Sequence, residues 1–255
     1  MIAGLISKPF NTFISGIIAL ILSFSFLLNS GNPPGDQQKD QSEPEVSIDL
    51  PTESRNYSWG SQVRYSISVS DEIDGESRFG EINPNEVLLE VEYLNVKSNQ
   101  INSARSEYET SDAHGGLTLI RKSDCFSCHA DKVTLVGPSF SDMSDRYEPD
   151  SPTLQMLGKH IIEGSSGDWG DLPMPPHDSI SMEEAMEMAD YILKQGNREN
   201  RWIYSGLEGV FRVIEKPDSA DSGLYRLTAS YINSGTENVP DSGIRGEHTI
   251  FIKIE

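Results

Sequence analysis

The chain has 255 residues, with 40 acidic side chains against 20 basic ones and a formal charge of −20. A polyanion of that size is repelled by nucleic-acid phosphates, which excludes nucleic acid as a partner. Glycine and proline counts of 21 and 14 are ordinary, so this is no low-complexity polymer, and the length suits one to three domains.

Residues 13–28 (FISGIIALILSFSFLL) carry no charge and follow Lys8. A basic residue ahead of an apolar run is the pattern of an export signal. The run is slightly short for a spanning helix but extends toward Met1. No A-x-A-like cleavage site follows it, and no cysteine is there for lipoprotein processing. Residues 1–30 are expected to be a signal peptide or an uncleaved anchor. The anchored form would hold residues 10–28 in the cytoplasmic membrane. Either way, the rest of the chain would be periplasmic. Residues 31–44 (GNPPGDQQKDQSEP) read as a flexible linker.

Three stretches of strand character follow: residues 46–50 (VSIDL), 63–69 (VRYSISV) and 87–94 (VLLEVEYL). Turn clusters at 71–75 and 83–85 separate them. The first of these turns (DEIDGE, 71–76) groups carboxylates but lacks EF-hand spacing, and an ordinary acidic turn is the simpler reading. Residues 97–116 are polar and read as a connection. Residues 117–195 are helical in pattern. Ser151-Pro152 reads as an N-cap with proline at the first helical position, followed by Leu154, Leu157 and Ile161 on one face. Ser181 and Glu184 form a capping box, ahead of a stripe of Ala185, Met188, Ala189, Ile192 and Leu193. Period two returns at residues 204–214, 224–231 and 248–254. Residues 221–225 (DSGLY) are similar to the tyrosine corner of immunoglobulin-like sandwiches.

Neither β segment has enough strands for a sandwich of its own. The expected fold is α+β and multidomain, with an all-α domain (111–196) inserted in or flanked by an Ig-like antiparallel β-sandwich (45–110 and 197–255).

Residues 125–129 read C-x-x-C-H, the attachment signature of a c-type haem. Two thiols add to the haem vinyl groups and the adjacent imidazole binds iron. Cys125 and Cys128 are the two cysteines of the chain. C-x-x-C also serves as a redox dithiol or half a zinc site. Zinc would need two further ligands, and His129, adjoining Cys128, is poorly placed to be one. A haem with one histidine has an open sixth position, which electron carriers fill with a second strong ligand, commonly methionine. Met174 lies among Pro173, Pro175 and Pro176, which prevent a helix there. Met143, Met156, Met182, Met186 and Met188 fall in or beside helical patterns and read as core or surface. His114 and His248 carry no assigned role.

With these residues in view, positions 117–195 resemble a short bacterial class I cytochrome c. The matching pieces are DCFSCH (124–129), VGP (136–138), GSSGDWG (164–170) and PMPP (173–176). The resemblance implies one covalent haem c, thioethers at Cys125 and Cys128, and axial ligands His129 and Met174. It implies that the Pro138 carbonyl accepts a hydrogen bond from His129 and that Trp169 donates to a propionate. His160 stands where the family often has arginine near a propionate, a place for protonation to couple to the midpoint potential. His177 stands where it often has asparagine, and would either modulate Met174 or replace it as ligand. Asp168, Asp171 and Asp178 would steer a basic partner to the haem edge.

More loosely, residues 45–255 resemble the PKD/Ig-like module plus cytochrome of quinoprotein sugar-dehydrogenase-like proteins, through residues 65–77 (YSISVSDEIDGES). No catalytic propeller is expected within these residues, since one needs at least about four blades of four strands. The function implied is electron transfer, not enzymatic catalysis. The donor would be a separate periplasmic, quinoprotein-type dehydrogenase and the acceptor a terminal oxidase or another cytochrome. The alternative is a β-sandwich module that binds carbohydrate or protein and carries an accessory haem.

Overall fold

The computed structural model describes residues 42–51, 56–95, 115–218, 220, 222–235 and 243–255. The apolar run at 13–28, most of the linker and nearly all of the 97–116 connection, with His114, lie outside them. No helix among the described residues is long and apolar enough to cross a membrane.

Strand β3 (Gln62–Asp71) shows why one sheet forms. Val63, Tyr65, Ile67 and Val69 are buried and the residues between them face water. That alternation is what a sheet with one wet face requires. β1 (Glu45–Asp49) pairs antiparallel with one half of β3, and β7 (Glu208–Arg212) with the other. The two-residue β4 (Gly75–Glu76) adds to the end of β3. The second sheet runs β2 (Asn56–Tyr57), β9 (Arg245–Ile254), β8 (Gly223–Ile232), β5 (Leu88–Leu94), β6 (Arg201–Ser205). It is antiparallel except where β2 meets β9. One core lies between the sheets, drawing Val63, Tyr65, Leu89 and Val91 from before the helices and Tyr225, Leu227 and Ile252 from after them.

β5 and β8 are buried on both faces. Four α-helices among the described residues explain why: α1 (Gly115–Lys122), α2 (Phe140–Arg146), α3 (Ser151–Glu163) and α4 (Met182–Gln195). Leu88 and Ile203, on the outer face of the second sheet, join Leu117, Ile120, Phe126, Phe140, Met188 and Tyr191 in a second core. Polar contacts cross the same seam. Arg121 donates to the Ser230 hydroxyl (2.9 Å), and a carboxylate oxygen of Asp131 accepts from the Ile203 N–H (3.0 Å). Asn85 donates to Ser127 inside the C-x-x-C-H turn (2.9 Å).

Several expectations are corrected. Residues 204–214 are not one strand. Gly206, at φ +121°, breaks them into β6 in one sheet and β7 in the other. The α3 N-cap is Asp150, which accepts from the Thr153 N–H, so Pro152 sits one place deeper. The Tyr225 hydroxyl accepts from the Ile214 N–H (3.0 Å), 11 residues upstream, tying the exit of β7 to β8 rather than closing a local corner. His248 does have a role: its Nδ1 accepts from the Ile48 N–H (3.0 Å) and links β9 to β1. Asp71 and Asp74 spend their carboxylates on turn N–H groups and on Asn233, Tyr231 and Ser234. Those bonds make the acidic turn a structural element, in line with its simpler reading.

Candidate cofactor site

Backbone hydrogen bonds shape the C-x-x-C-H segment. Asp124, at φ +62°, is the one non-glycine residue with positive φ among those described, and it turns the chain out of α1. Residues 125–127 then make a single tight turn, closed by Cys128 and His129 N–H bonds to the Cys125 carbonyl (3.1 and 2.9 Å). The Val136 and Gly137 N–H groups return to the Cys128 carbonyl (3.2 and 2.9 Å). This fold-back brings Pro138 beside His129. The Pro138 carbonyl lies 2.7 Å from His129 Nδ1. With Nδ1–H as donor, Nε2 carries the free lone pair, the tautomer a metal needs. A Cβ on Gly137 would come 2.4 Å from the ring, so the close approach requires glycine.

Electrostatics suits a metal-binding imidazole and argues against a redox dithiol. Burial lowers the His129 pKa, against the Pro138 bond that raises it, and keeps the imidazole neutral. Burial also pushes the Cys125 thiol up to about 11. A redox dithiol needs the opposite shift. No group of three or more His, Cys, Asp or Glu placed to hold a metal ion occurs among the described residues.

The methionine loop is built by a second return of the chain. α3 ends at Gly164, at φ +78°, where a Cβ would lie 2.7 Å from the Met174 carbonyl. Ser165 and Met174 then exchange two backbone hydrogen bonds, of 3.2 and 2.8 Å. The His177 N–H is shared by the Ile161 and Ile162 carbonyls (3.1 and 3.2 Å), which anchors the far end of the loop.

These elements enclose a cavity of about 1080 Å³, its open mouth included. Cys125, Cys128, His129, Pro138, His160, Trp169 and Met174 all line it, whereas His177 does not. Leu157 and Ile161 face into it, which is why that side of α3 is only half-buried against protein. Its inner wall includes Ile120, Phe140 and Met188, the same side chains that pack on Leu88 and Ile203. The mouth is rimmed by exposed apolar groups: Val136 (55%), Trp169 (40%) and Leu172 (70%). His160 Nδ1 lies 3.9 Å from the Asp168 carboxylate. Asp168, Asp171 and Asp178 are exposed. The residues absent from the sequence reading are Gly137, Gly164 and Arg146. Gly137 and Gly164 stand inside the quoted VGP and GSSGDWG strings, so a readable signal for them exists.

Comparison with known proteins places the helical segment in a family. Residues 113–196 match the family model for cytochrome c. Cytochrome c-552 of Nitrosomonas europaea is 36% identical over 81 residues, 32% of this chain and 79% of that protein. Cytochrome c-551 of Azotobacter vinelandii is 37% identical over 78 residues, 31% of this chain and 94% of that protein. The crystal structure of N. europaea cytochrome c552 aligns with 31% of this chain and 96% of its own, at 36% identity and a TM-score of 0.29.

Proposed function

Because this chain belongs to the cytochrome c family, we propose that it is an exported carrier of single electrons between a periplasmic dehydrogenase and a downstream acceptor. It carries one covalently bound haem c and works as an electron-transfer protein with redox protein partners. The residues present fit that group. The two thiols, a neutral imidazole and a thioether converge on one apolar cavity whose tight places are glycines. That convergence is the observation that carries the reading. When bound, the haem supplies the Fe(III)/Fe(II) couple.

In this reading Cys125 and Cys128 would hold the haem, His129 and Met174 would bind its iron, and the Pro138 carbonyl would orient His129. His177 lies off the cavity, which favours Met174 over it. Trp169 and His160 serve the propionates. With His129 and Met174 both given to iron, the haem would supply electron transfer rather than a place for substrate. The partner docks at the mouth, on Val136, Trp169 and Leu172, steered by Asp168, Asp171 and Asp178. Residues 1–30 direct export and membrane attachment, 31–44 are the linker, and 45–110 with 197–255 make the sandwich that bears the 111–196 haem domain. A quinoprotein donor rests on the looser resemblance of residues 45–255.

The test is expression in a host that matures c-type cytochromes, followed by haem staining after denaturing electrophoresis. Retained haem and a weak far-red band in the ferric protein are expected. Loss of haem under denaturation would refute covalent attachment. A missing far-red band that returns in His177→Ala would reassign the sixth ligand to histidine.

A further inference from the structure

The tip of the methionine loop is attached to the molecule by very little backbone. Gly164, Gly167 and Gly170 all have positive φ (78°, 90° and 117°). Between the Ser165–Met174 pairing and the end of the tip, one backbone bond closes the turn, from the Gly167 N–H to the Gly170 carbonyl (3.2 Å). A hinge of three glycines carries Trp169, a cavity-lining residue that is 40% exposed.

Arg146, the last residue of α2, reaches across to this tip. Its guanidinium lies 4.5 Å from the centre of the Trp169 ring and 5.3 Å from that of Tyr147. Its Nη1 donates to the Asp168 carbonyl (2.8 Å). Tyr147 meets Trp169 edge-on at 6.2 Å. A planar cation thus stacks on the indole and hydrogen-bonds the adjacent backbone, a combination that lysine cannot reproduce.

We propose that Arg146 is a positioning residue that clamps the Trp169 tip over the cavity mouth and so keeps the Met174 loop closed. This rests on the haem reading above. Once the Arg146 and Tyr147 contacts are lost, little besides the Gly167–Gly170 bond and the two Ser165–Met174 bonds holds the tip, so the Met174 side would be the first to yield to an outside ligand. Arg146 itself touches no haem atom in this account. It acts through Trp169.

The experiment compares the full haem-loaded chain with Arg146→Met and Arg146→Lys. Hydrogen exchange of residues 164–172 and the rate of cyanide binding to the ferric protein are read in each. Arg146→Met is expected to speed both by at least about two- to fivefold, the ratio that loss of the exposed cation–π contact alone gives, with loss of the Asp168 hydrogen bond adding to it. Arg146→Lys should fall between it and the parent, because the charge remains and the planar stack is lost. Exchange and cyanide rates unchanged in Arg146→Met would overturn the clamp. A parent protein lacking the six-coordinate methionine spectrum would overturn the haem reading instead, and tip exchange would still test the clamp.

Discussion

At the scale of single residues, the site depends on places where a side chain has been left out. Gly137→Ala puts a methyl 2.4 Å from His129 Cε1, a distance no relaxed contact reaches. The ring must tilt off the Pro138 carbonyl or the 136–138 backbone must move. Overpacking of this kind costs about 1–3 kcal/mol. The expected outcome is a haem protein with a lower melting temperature and a weakened low-spin spectrum, read by absorbance during heating. What the sequence made legible at this scale follows from contiguity. Cys125, Cys128 and His129 are adjacent, and Met174 is marked by its prolines. Arg146 was illegible because its carbonyl partner, Asp168, lies 22 residues away and a basic residue at a helix end has ordinary capping uses. His248 was hidden further still, 200 residues from the N–H it accepts.

At the scale of elements, the seam between helices and second sheet is held by a thin apolar layer and a buried charge network. Ile203 is 6% exposed and packs on the helical side while its neighbours Trp202 and Tyr204 pack on the sandwich core. Ile203→Ala should cost about 2–5 kcal/mol and lower the haem-band and far-UV transitions together, because one side chain serves both. Separate transitions would mean that the seam is not cooperative. Glu90, on β5, carries the charge side of the seam, pairing with Arg201 and Arg245. Burial pulls its carboxyl up, but Arg201, with Arg245 and Arg121, outweighs that and holds it below the ordinary 4.5. A folded-state pKa below the unfolded one gives stability that is present above about pH 4.5 and lost as pH falls through the folded value. Glu90→Gln should therefore destabilise near neutrality, by about 3–5 kcal/mol as for a broken buried pair, and flatten acid unfolding below that pH. Denaturant titrations at pH 7 and pH 3.5 check both. Of this seam the sequence displayed only half. β5 reads as a near-continuous apolar run, which announces burial on both faces, but nothing local says that helices supply the second cover. The break at Gly206 was missed for a related reason, since period two persists on both sides of it.

At the scale of the whole molecule, the net charge of −20 is a long-range property with a kinetic signature. Electron transfer to a basic partner protein should slow as salt rises from low ionic strength, where the Debye length is about 30 Å at 0.01 M, to about 10 Å at 0.1 M. Stopped-flow rates that ignore salt would remove steering from the account. Topology has a kinetic consequence of its own. β5 pairs with β6 and β8, and both lie beyond the helices in the chain. An apolar strand of seven residues is therefore made, and carried out of the ribosome, without either neighbour until the last quarter of the chain follows. Its exposed edges are a template for pairing with other chains during that interval. Closing the second sheet across the whole helical segment makes the sandwich a slow, high-contact-order step that comes after the helices. A chain truncated after α4 should collect as aggregate even when its C-x-x-C-H segment is intact, and the newly made full-length protein should depend on factors that shield unpaired strands.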